Sequence, residues 1–510
     1  MAHVEAPTAR AARLFPDATA LVTPLGLTSY GELERDVVYM ATVLRANGVR
    51  PGDRIALAGE NTRGWVAAAY AIPRTGAVLV PLNDRLAAPE RDRILTACGA
   101  RPFESVARGP AAVAPDCRPA ISGRLAVRRV HTLLFTSGSC GDPKGVMLTW
   151  GNHLASAVAS RAALALTHDD VWLCAMPLFH AGGLAILYRQ ALVGGAVALL
   201  PRFDDRAVAA TLAQGCVTLA SFTATMFRRL RRRLPAPPPA LRAVLVGGEA
   251  VPEDLRKGPW PVRATYGLTE AASHVTIADC EDVSGYGRPV AGMEIAIRDG
   301  RIAIRGAAVM RGYFGRSPGL DGNWFDTGDP GEIDDSGHLR VPGRRADLIV
   351  SGGENISPAE VEAALAEHPG VVESAVVPIP DAEWGQAGLA YVVRGDRGLT
   401  AEALRAHLRA RLGGFKVPAA IRFCGDLPRT ASGKVDRRVL ADHGHLADVG
   451  GMPCQEIDDG RRESLARDDG RDPGRIGTDS LGADAPGSLG QRNALARSEG
   501  GPPGRHDAFW

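Results

Sequence analysis

The sequence predicts an α/β fold. A large N-terminal domain of parallel-type sheets with flanking helices carries a small β subdomain, and a small α+β domain follows it. Three observations predict this. The 510 residues exceed one compact core, so two or more domains are expected. Helical and strand patterns alternate through the first half of the chain, which is typical of parallel sheets. Short strands with turns come next, and a second mixed unit follows them.

The alternating patterns begin with an amphipathic helix over 30–45, which Asn47-Gly48 ends. Apolar runs bounded by turn residues predict the strands, and apolar residues at helical spacing predict the helices. The predicted elements are a strand over 54–58, a helix over 65–72, a strand over 77–82, a strand over 171–176, a helix over 183–192, and strands over 196–200 and 243–246.

Residues 294–340 change to short strands with turns, over 294–297, 301–304 and 331–334, which predict the small β subdomain. We expect the N-terminal domain to span 1–342, a hinge 343–347, and the C-terminal domain 348–440. Within the C-terminal domain the predicted elements are a helix over 358–367, strands over 371–377 and 389–393, and a helix over 401–412. The tail 441–510 is rich in Gly, Arg, Asp, Ser and Pro without apolar periodicity, so we expect it to be disordered.

Composition and charge exclude several classes of protein. The formal net charge of +2 gives no support for binding nucleic acid or an anionic membrane. The longest apolar stretch, 181–200, is interrupted by Arg189-Gln190 and by glycines, so we expect no integral membrane segment. Eight cysteines without a CxxC pair argue against a zinc site and for a reducing cytoplasm. No signal peptide is predicted, and a homo-oligomer remains open.

The most informative stretch is a loop after the apolar run Leu133-Leu134-Phe135. It carries hydroxyls, glycines and one lysine, a composition that can wrap polyphosphate. The order Lys-Gly excludes a Walker A loop, and the absence of a G-x-S-x-G elbow excludes the hydrolase motif. The candidate phosphate-binding residues are Thr136, Ser137, Gly138, Ser139, Gly141 and Lys144. Lys144 is one of only four lysines, which suggests that a guanidinium does not serve at this position.

This loop resembles the signature of the acyl-adenylate-forming (AMP-binding) superfamily, which includes acyl-CoA synthetases. Further segments of residues 25–440 resemble other motifs of that superfamily in the same order. They are Met176-Pro177-Leu178-Phe179-His180, Val246-Gly247-Gly248-Glu249, Thr265-Tyr266-Gly267-Leu268-Thr269-Glu270, Trp324-Phe325-Asp326-Thr327-Gly328-Asp329, Gly343-Arg344, Ser351-Gly352-Gly353-Glu354-Asn355-Ile356 and Pro428-Arg429-Thr430-Ala431-Ser432-Gly433-Lys434.

The resemblance implies an enzyme that uses ATP, Mg²⁺ and coenzyme A to activate a small carboxylic acid. The hydroxyls of the loop and Lys144 would hold the β- and γ-phosphates. Thr269 would contact the α-phosphate, and Glu270 would hold Mg²⁺, which suits carboxylate oxygen. Asp329 would accept hydrogen bonds from the ribose hydroxyls, with support from Arg344. Gly247, Gly248, Glu249, Tyr266 and Gly267 would form the adenine side of the site, and His180 would lie at the acyl pocket.

The resemblance also implies that the C-terminal domain is mobile and rotates between two half-reactions. In the first, Lys434 would reach the substrate carboxylate and the α-phosphate. In the second, Ser351, Gly352 and Gly353 would face the site and leave room for the pantetheine arm of coenzyme A. Phe415-Lys416 would lie near the nucleotide of coenzyme A. Two positions depart from the family pattern: Cys140 stands where Thr is usual, and Ala346 where Asp or Lys is common.

Several carboxylic acids are candidate substrates. His180 occupies a position where amino-acid-activating domains carry an Asp, which disfavours an amino-acid substrate. Segments 176–183, 221–227 and 344–356 most resemble the CoA ligases that act on 2-succinylbenzoate in menaquinone synthesis. The alternatives are a ligase for medium- or long-chain fatty acids or for aromatic acids, and an adenylating enzyme that transfers its acyl group to a carrier protein. A second substrate carboxylate would need a partner, for which the candidates are Ser221, Thr223, Thr225, Ser273 and His274.

Overall fold

A computed structural model describes residues 2–104, 121–136, 143–249, 251–282, 285–341, 348–396, 398–429, 435, 437, 439–441 and 455–458. The α-helices in these ranges are α1 Pro7–Leu14, α2 Tyr30–Ala46, α3 Arg63–Arg74, α4 Ala88–Cys98, α5 Trp150–Leu164, α6 Ala181–Val193, α7 Asp205–Ala213, α8 Ala224–Arg233, α9 Glu253–Arg256, α10 Pro358–Ala366 and α11 Ala401–Arg409. Single 3₁₀ turns span Thr269–Ala271 and Gly414–Lys416.

The strands of the N-terminal part are β1 His3–Glu5, β2 Thr19–Thr23, β3 Gly26–Ser29, β4 Arg54–Leu57, β5 Val78–Pro81, β6 Arg101–Pro102, β7 Arg124–Ala126, β8 Val130–Thr136, β9 Lys144–Thr149, β10 Val171–Cys174, β11 Ala196–Leu199, β12 Leu219–Phe222, β13 Ala243–Val246, β14 Val262–Leu268, β15 Ser273–Ile277 and β16 Arg288–Pro289. The later strands are β17 Met293–Arg298, β18 Arg301–Gly306, β19 Gly312–Tyr313, β20 Leu320–Asp321, β21 Trp324–Pro330, β22 Glu332–Ile333, β23 Leu339–Arg340, β24 Ile349–Ser351, β25 Glu354–Ile356, β26 Val371–Asp381, β27 Gly385–Arg394, β28 Ala420–Cys424 and β29 Gln455–Asp458.

Two large sheets build the N-terminal part. The nine-stranded sheet has the order β16-β15-β14-β13-β12-β10-β11-β2-β3, parallel from β14 to β2 and antiparallel at both edges. The six-stranded sheet has the order β19-β9-β8-β5-β4-β6, with β8, β5, β4 and β6 parallel. The buried apolar side chains of both sheets and their helices form one continuous core. The predicted α/β class is therefore confirmed.

The predicted helices and strands occur, with ends shifted by a few residues. Helix α2 begins where Ser29 and Glu32 form a reciprocal capping box, and it ends at Asn47 as expected. The small β subdomain is a four-stranded sheet of order β17-β18-β21-β20. The strand expected over 331–334 is limited to β22, which pairs with β23. Among the described residues, no helix combines the length and the hydropathy needed to span a bilayer.

The C-terminal part is a separate mixed sheet of order β25-β24-β27-β28-β29, with β26 antiparallel to β27. Helices α10 and α11 pack on it, and its apolar side chains form their own clusters. The expected hinge 343–347 lies outside the described residues. Within the tail expected to be disordered, Gln455–Asp458 forms an edge strand antiparallel to β28. Ladder hydrogen bonds join backbone groups and need no apolar side-chain pattern, so a strand can form here although the sequence shows no apolar periodicity. The disorder expected for the tail stays a prediction.

Candidate functional site

The two ends of the glycine-rich loop are held together by a strand pair. Thr136 ends β8 and Lys144 begins β9, and these two residues are partners in the antiparallel ladder. Four further candidates in this loop, Ser137, Gly138, Ser139 and Gly141, lie outside the described residues. The ammonium of Lys144 lies 5.6 Å from the centroid of the Tyr313 ring. The lysine is therefore directed toward the 3₁₀ turn that carries the next candidate residues.

Glu270 sits in that turn, directly after Thr269. Its Oε1 accepts a hydrogen bond of 2.8 Å from the hydroxyl of Tyr313. Burial raises the pKa of Glu270, against the hydrogen bond from Tyr313 and the charge of Lys144, and the charge of Asp329 raises it further. A desolvated carboxylate beside a second carboxylate favours a bound cation. The donor set therefore fits Mg²⁺, which prefers carboxylate oxygen.

Asp329 lies on β21 and faces β14. Its Oδ2 accepts a hydrogen bond of 2.9 Å from the hydroxyl of Tyr266, and its backbone N–H donates to Oγ1 of Thr327 at 3.1 Å. The hydroxyl of Thr327 in turn donates to the carbonyl of Ile302 at 2.8 Å. These contacts fix the position of the carboxylate. Tyr266 and Asp329, predicted from separate motifs, are thus brought together.

Two of the predicted glycines make close backbone approaches, and a third has a left-handed conformation. A Cβ on Gly247 would lie 2.7 Å from the carbonyl oxygen of Thr265, and one on Gly267 would lie 2.2 Å from that of Ser273. Gly248 has φ +82°, a conformation that favours glycine. Glu249 has a contact within the protein, and its predicted cofactor contact stays a prediction. Its carboxylate accepts from the backbone N–H of Thr225 at 2.7 Å and so holds the first turn of α8.

His180 is the N-cap residue of α6 and follows the Met176–Phe179 segment. Asn61 fixes this segment, since its side chain donates to the carbonyl of Met176 at 2.9 Å and accepts from the N–H of Leu178 at 3.0 Å. The imidazole packs against the Phe179 ring with centroids 4.5 Å apart. It remains 39% exposed, so that it can contact a group from another element.

That group comes from the C-terminal part. The hairpin of β24 and β25 pairs Ser351 with Glu354, and Gly352 and Gly353 form its turn with φ +58° and +88°. A Cβ on Gly353 would lie 2.7 Å from Cγ2 of Thr223 at the start of α8. The glycine-rich face of the hairpin is therefore packed directly on the N-terminal part. Gly353, one of the three residues predicted to face the site in the second half-reaction, lies at this contact.

Glu354 is the centre of the contact between the two parts. Its Oε2 lies 3.3 Å from Nε2 of His180 and 3.4 Å from Nδ2 of Asn83, and its Oε1 bonds the guanidinium of Arg85. Burial by itself would raise the pKa of this carboxyl, but His180 and Arg85 hold it at about 2. Glu354 is therefore ionised at neutral pH and paired with groups of the N-terminal part. The sequence motif predicted a functional surface only at the neighbouring Ser351, Gly352 and Gly353, and it assigned Glu354 no role of its own.

Arg189 is a candidate functional residue that the sequence analysis did not identify. In the sequence it was noted only as an interruption of an apolar stretch. Arg189 is on α6, 1% exposed, with its guanidinium 5.4 Å from the Trp172 ring. Its Nε and Nη2 have no hydrogen-bond partner among the described residues. Burial lowers the pKa of Arg189 to about 9, so it is still a cation at neutral pH. A buried cation without a carboxylate partner is costly unless an anion binds there.

The neighbours of Arg189 belong to the same site. Burial, and the charge of Arg189, lower the pKa of His274 well below its ordinary value, so this imidazole is neutral. His274 pairs with Gly267 across β14 and β15, on the hairpin that carries Thr269 and Glu270. Ser221, another candidate partner for a second carboxylate, accepts a hydrogen bond of 3.0 Å from Nε1 of Trp172. Two of the predicted polar candidates thus lie around a cation that was not predicted.

Thr223 and Thr225 have other roles. The hydroxyl of Thr223 caps α8 by accepting from the N–H of Met226 at 3.2 Å, and Thr225 bonds Glu249. Ser273 is buried at the start of β15. Arg344 and Lys434 lie outside the described residues. Lys416, expected near the nucleotide of coenzyme A, has a buried ammonium that contacts carboxylates instead.

The described residues combine a strand pair at the two ends of the glycine-rich segment, a desolvated carboxylate beside a lysine, and an aspartate held by a tyrosine. A second domain packs its glycine hairpin on the same N-terminal part. This is the architecture of a two-domain adenylate-forming enzyme. The chain belongs to the AMP-binding enzyme family: the model of that family matches residues 8–103 and 102–314, and the model of the AMP-binding enzyme C-terminal domain matches residues 360–434.

Curated relatives extend over most of the chain. A 2-succinylbenzoate–CoA ligase from Bacillus cereus is 35% identical over 468 residues, which cover 84% of this chain and 96% of the relative. A feruloyl-CoA synthase from Amycolatopsis sp is 38% identical over 473 residues, with the same coverage of both chains.

Solved structures show which arrangement of the domains the chain resembles. A double mutant of o-succinylbenzoate CoA synthetase from Bacillus subtilis, bound with its product analogue, has a TM-score of 0.81 at 32% identity, covering 86% of this chain and 98% of that chain. The enzyme from the same organism in complex with ATP and a magnesium ion has a TM-score of 0.65 at the same identity, covering 86% and 99%. Because identity and coverage are nearly equal, the higher score indicates a domain arrangement like that of the product-analogue complex.

Proposed function

We propose that this chain is an ATP-dependent 2-succinylbenzoate–CoA ligase that works through an acyl adenylate. The acid and ATP give the acyl adenylate and diphosphate, and coenzyme A then displaces AMP to give the thioester. Ligases named for this acid match 84% of the chain at 34–35% identity, and the structures that resemble the chain include the enzyme from Bacillus subtilis.

The observation that carries the choice of acid is the buried guanidinium of Arg189, whose Nε and Nη2 have no hydrogen-bond partner among the described residues. A substrate with two carboxylates presents one for activation and keeps the other ionised. The second carboxylate needs a cation in a buried pocket. Arg189 supplies that cation, and the neutral His274 and the hydroxyl of Ser221 lie beside it as further polar partners.

In the first half-reaction we assign the N-terminal residues to charge neutralisation around the phosphates. Thr136, Ser137, Ser139 and Lys144, with the backbone of Gly138 and Gly141, bind the β- and γ-phosphates. Thr269 contacts the α-phosphate, and Glu270 holds Mg²⁺, which when bound shields the negative charge between the phosphates. This assignment is supported by the orientation of Lys144 toward Tyr313 and by the desolvation of Glu270.

The nucleoside is held by the residues predicted for it. The carboxylate of Asp329 accepts from the ribose hydroxyls, with Arg344 beside it, and the fixed geometry of Asp329 against Tyr266 supports this role. Gly247, Gly248 and Gly267 give the adenine a flat backbone surface. Glu249 acts on the nucleoside site indirectly, because it positions α8 through its hydrogen bond with Thr225. Lys434 neutralises the carboxylate and the α-phosphate as diphosphate leaves.

In the second half-reaction the hairpin turn at Gly352-Gly353 lines the path of the pantetheine thiol. Ser351 and the two glycines offer backbone without side-chain bulk, and the packing of Gly353 on Thr223 supports this placement. His180 lies between the acyl pocket and the hairpin, because its ring packs on Phe179 and its Nε2 faces Glu354. The domain arrangement resembles the complex with a product analogue, which also supports this half-reaction.

We further propose that the N-terminal domain spans 1–342, the hinge 343–347 and the C-terminal domain 348–440, with most of 441–510 disordered. A reducing, cytoplasmic location is supported by the cysteines in the described ranges, which are free thiols: Cys98, Cys174, Cys216, Cys280 and Cys424. A homo-oligomer is left to direct measurement.

Steady-state kinetics across a panel of acids tests the proposal. With ATP, Mg²⁺ and coenzyme A, kcat/KM for 2-succinylbenzoate should exceed those for ferulate, benzoate, hexanoate and palmitate. Ferulate is the second candidate, because the 38% identity to a feruloyl-CoA synthase favours it. A preference for ferulate or a fatty acid would overturn the assigned acid and keep the reaction class. Adenylate formation without thioester formation would instead favour transfer to a carrier protein.

A further inference from the structure

Lys416 is buried between two carboxylates that come from different parts of the chain. Its ammonium lies 2.5 Å from Oε1 of Glu90 and 2.8 and 2.9 Å from the two oxygens of Glu360. The side chains of Lys416, Glu90 and Glu360 are only 8%, 3% and 6% exposed. All three are therefore removed from water, and each depends on the others for its charge compensation.

The two carboxylates differ in their position relative to Lys416. Glu360 is in the first turn of α10, in the same C-terminal sheet-and-helix unit as the 3₁₀ turn of Lys416. Glu90 is in the first turn of α4, in the N-terminal part. Glu90 also accepts from the backbone N–H of Gly413 at 2.5 Å. One carboxylate is thus internal to the C-terminal unit, and the other reaches it across the boundary between the domains.

The two contacts respond differently when the C-terminal unit turns away. The pair of Lys416 and Glu360 moves as one body and survives in any orientation. Glu90 loses both the ammonium and the N–H of Gly413. Breaking a buried ion pair by withdrawing one partner is strongly unfavourable, unless water reaches the remaining charge. The contact of Glu90 therefore stabilises the docked orientation selectively.

The position of Glu90 connects this contact to the catalytic surface. Arg85, five residues before Glu90, bonds Glu354 and stacks its guanidinium over the Phe415 ring at 5.1 Å. The same N-terminal segment thus holds the glycine hairpin at one end and Lys416 at the other. A shift of the C-terminal unit at Lys416 would also displace Gly353 from Thr223.

We propose that Glu90 is a positioning residue for the thioester-forming half-reaction: its ion pair with Lys416 latches the C-terminal unit in the orientation that presents the glycine hairpin to the site. This inference rests on the proposed function for the identity of the half-reaction. The latch has no contact with the phosphate-binding residues described above, so it does not assist adenylate formation.

Glu90→Gln in the full chain tests the latch. The amide keeps an oxygen that can accept from the N–H of Ala87, which Glu90 bonds at 3.1 Å to cap α4, but it removes the charge. The rate of thioester formation from supplied acyl adenylate and coenzyme A should fall by about tenfold or more. Adenylate formation, followed by diphosphate exchange into ATP, should stay within about twofold. Unchanged adenylation also shows that the variant is folded.

Glu360→Gln is the matched control, because Glu360 bonds the same ammonium from within the C-terminal unit. Across the domain boundary, Arg93 of α4 interacts with Glu360 through its charge. Glu360→Gln should leave the ratio of the two half-reactions unchanged. A selective loss of thioester formation in Glu360→Gln would overturn the latch, as would equal losses in both half-reactions of Glu90→Gln, or no loss in either.

An energy-transfer measurement between labels on α2 and α11 separates the latch from the proposed function. Without substrates, Glu90→Gln should lower the transfer efficiency relative to the parent chain and to Glu360→Gln. An unchanged efficiency overturns the latch even when the enzyme is active. If the parent chain forms no adenylate with any acid, the proposed function is overturned. The energy-transfer measurement still tests the latch in that case, because it requires no substrate.

Discussion

Nε2 of His180 lies 3.3 Å from Oε2 of Glu354, across the boundary between the two domains. His180 follows the aromatic segment at the acyl pocket, and Glu354 follows the two glycines of the hairpin. This contact joins the residue proposed to lie at the acyl pocket to the loop proposed to line the thiol path. The position of the C-terminal domain is therefore linked directly to the geometry at the acyl pocket.

Substitution of Gly353 should affect only the second half-reaction. In Gly353→Ala the new Cβ would lie 2.7 Å from Cγ2 of Thr223 at a φ of +88°, so that both contact and backbone conformation oppose the docked hairpin. Thioester formation from supplied acyl adenylate should fall by more than about tenfold, with adenylate formation spared. Gly425→Ala, with no atom within 4 Å of its Cβ, is the control and should change neither rate. Normal thioester formation in Gly353→Ala would contradict the proposed thiol path.

Lys434→Ala should show the opposite pattern. The resemblance assigns this lysine to the first half-reaction only, so adenylate formation should be abolished while thioester formation from supplied adenylate is largely kept. Lys434→Arg should also fail, because a planar guanidinium does not replace a compact ammonium. Rapid-quench measurements of adenylate formation and of thioester formation, made separately for each variant, show which half-reaction is lost. Equal losses in both would show that Lys434 does not have this role.

Arg189→Met should change specificity without loss of stability. Removal of the cation should lower kcat/KM for 2-succinylbenzoate by about 100-fold, about 3 kcal/mol, with the KM for ATP unchanged. The melting temperature should stay constant or rise, since an apolar side chain replaces a buried charge without a described partner. The exposed Arg232→Met is the control. Loss of stability with unchanged specificity would mean that Arg189 has a structural role.

Stability should fall on acidification because of buried neutral histidines. Burial lowers the pKa of His153 to about 3 and that of His131 well below its ordinary value of 6.5. The folded state therefore binds fewer protons than the unfolded state, and stability is lost as pH falls below 6.5. At pH 5 each such histidine costs about 2 kcal/mol relative to pH 7.5.

Replacement of one histidine should reduce this loss. In His153→Gln, the difference in the free energy of unfolding between pH 7.5 and pH 5 should shrink by about 2 kcal/mol in urea titrations. His168→Gln is the control, because His168 is exposed, with its side chain 64% accessible. An identical pH dependence in His153→Gln and the parent chain would show that His153 becomes protonated without unfolding.

The tail should have two parts of different importance. Deletion of 459–510 should leave the melting temperature and both half-reactions nearly unchanged, because the pairing of β29 with β28 is kept. Deletion of 445–510 also removes β29, which pairs with β28 through Ile421 and Asp458, and should lower the melting temperature by a few degrees. Differential scanning calorimetry on the two truncated chains compares them. Equal melting temperatures would show that β29 contributes nothing.

The sequence by itself determined the fold class, the order of the helices and strands in both parts, and most of the candidate residues. Repeated apolar periods identify the elements because each one must bury one face. The motifs identify residues such as Glu270 and Asp329 because phosphate and ribose chemistry needs those groups at short spacings along the chain. The sequence did not predict the strand Gln455–Asp458, because this strand pairs through backbone groups, which leave no side-chain pattern.

Only the tertiary structure decided which groups meet across long sequence separations. Arg189 breaks an apolar stretch in the sequence, and its lack of a described partner is visible only once α6 is packed between Trp172 and His274. Glu90 and Lys416 are 326 residues apart, and their pairing depends on how one domain lies on the other. Contacts of this kind depend on burial and orientation in three dimensions, which local periodicity and motif spacing do not encode.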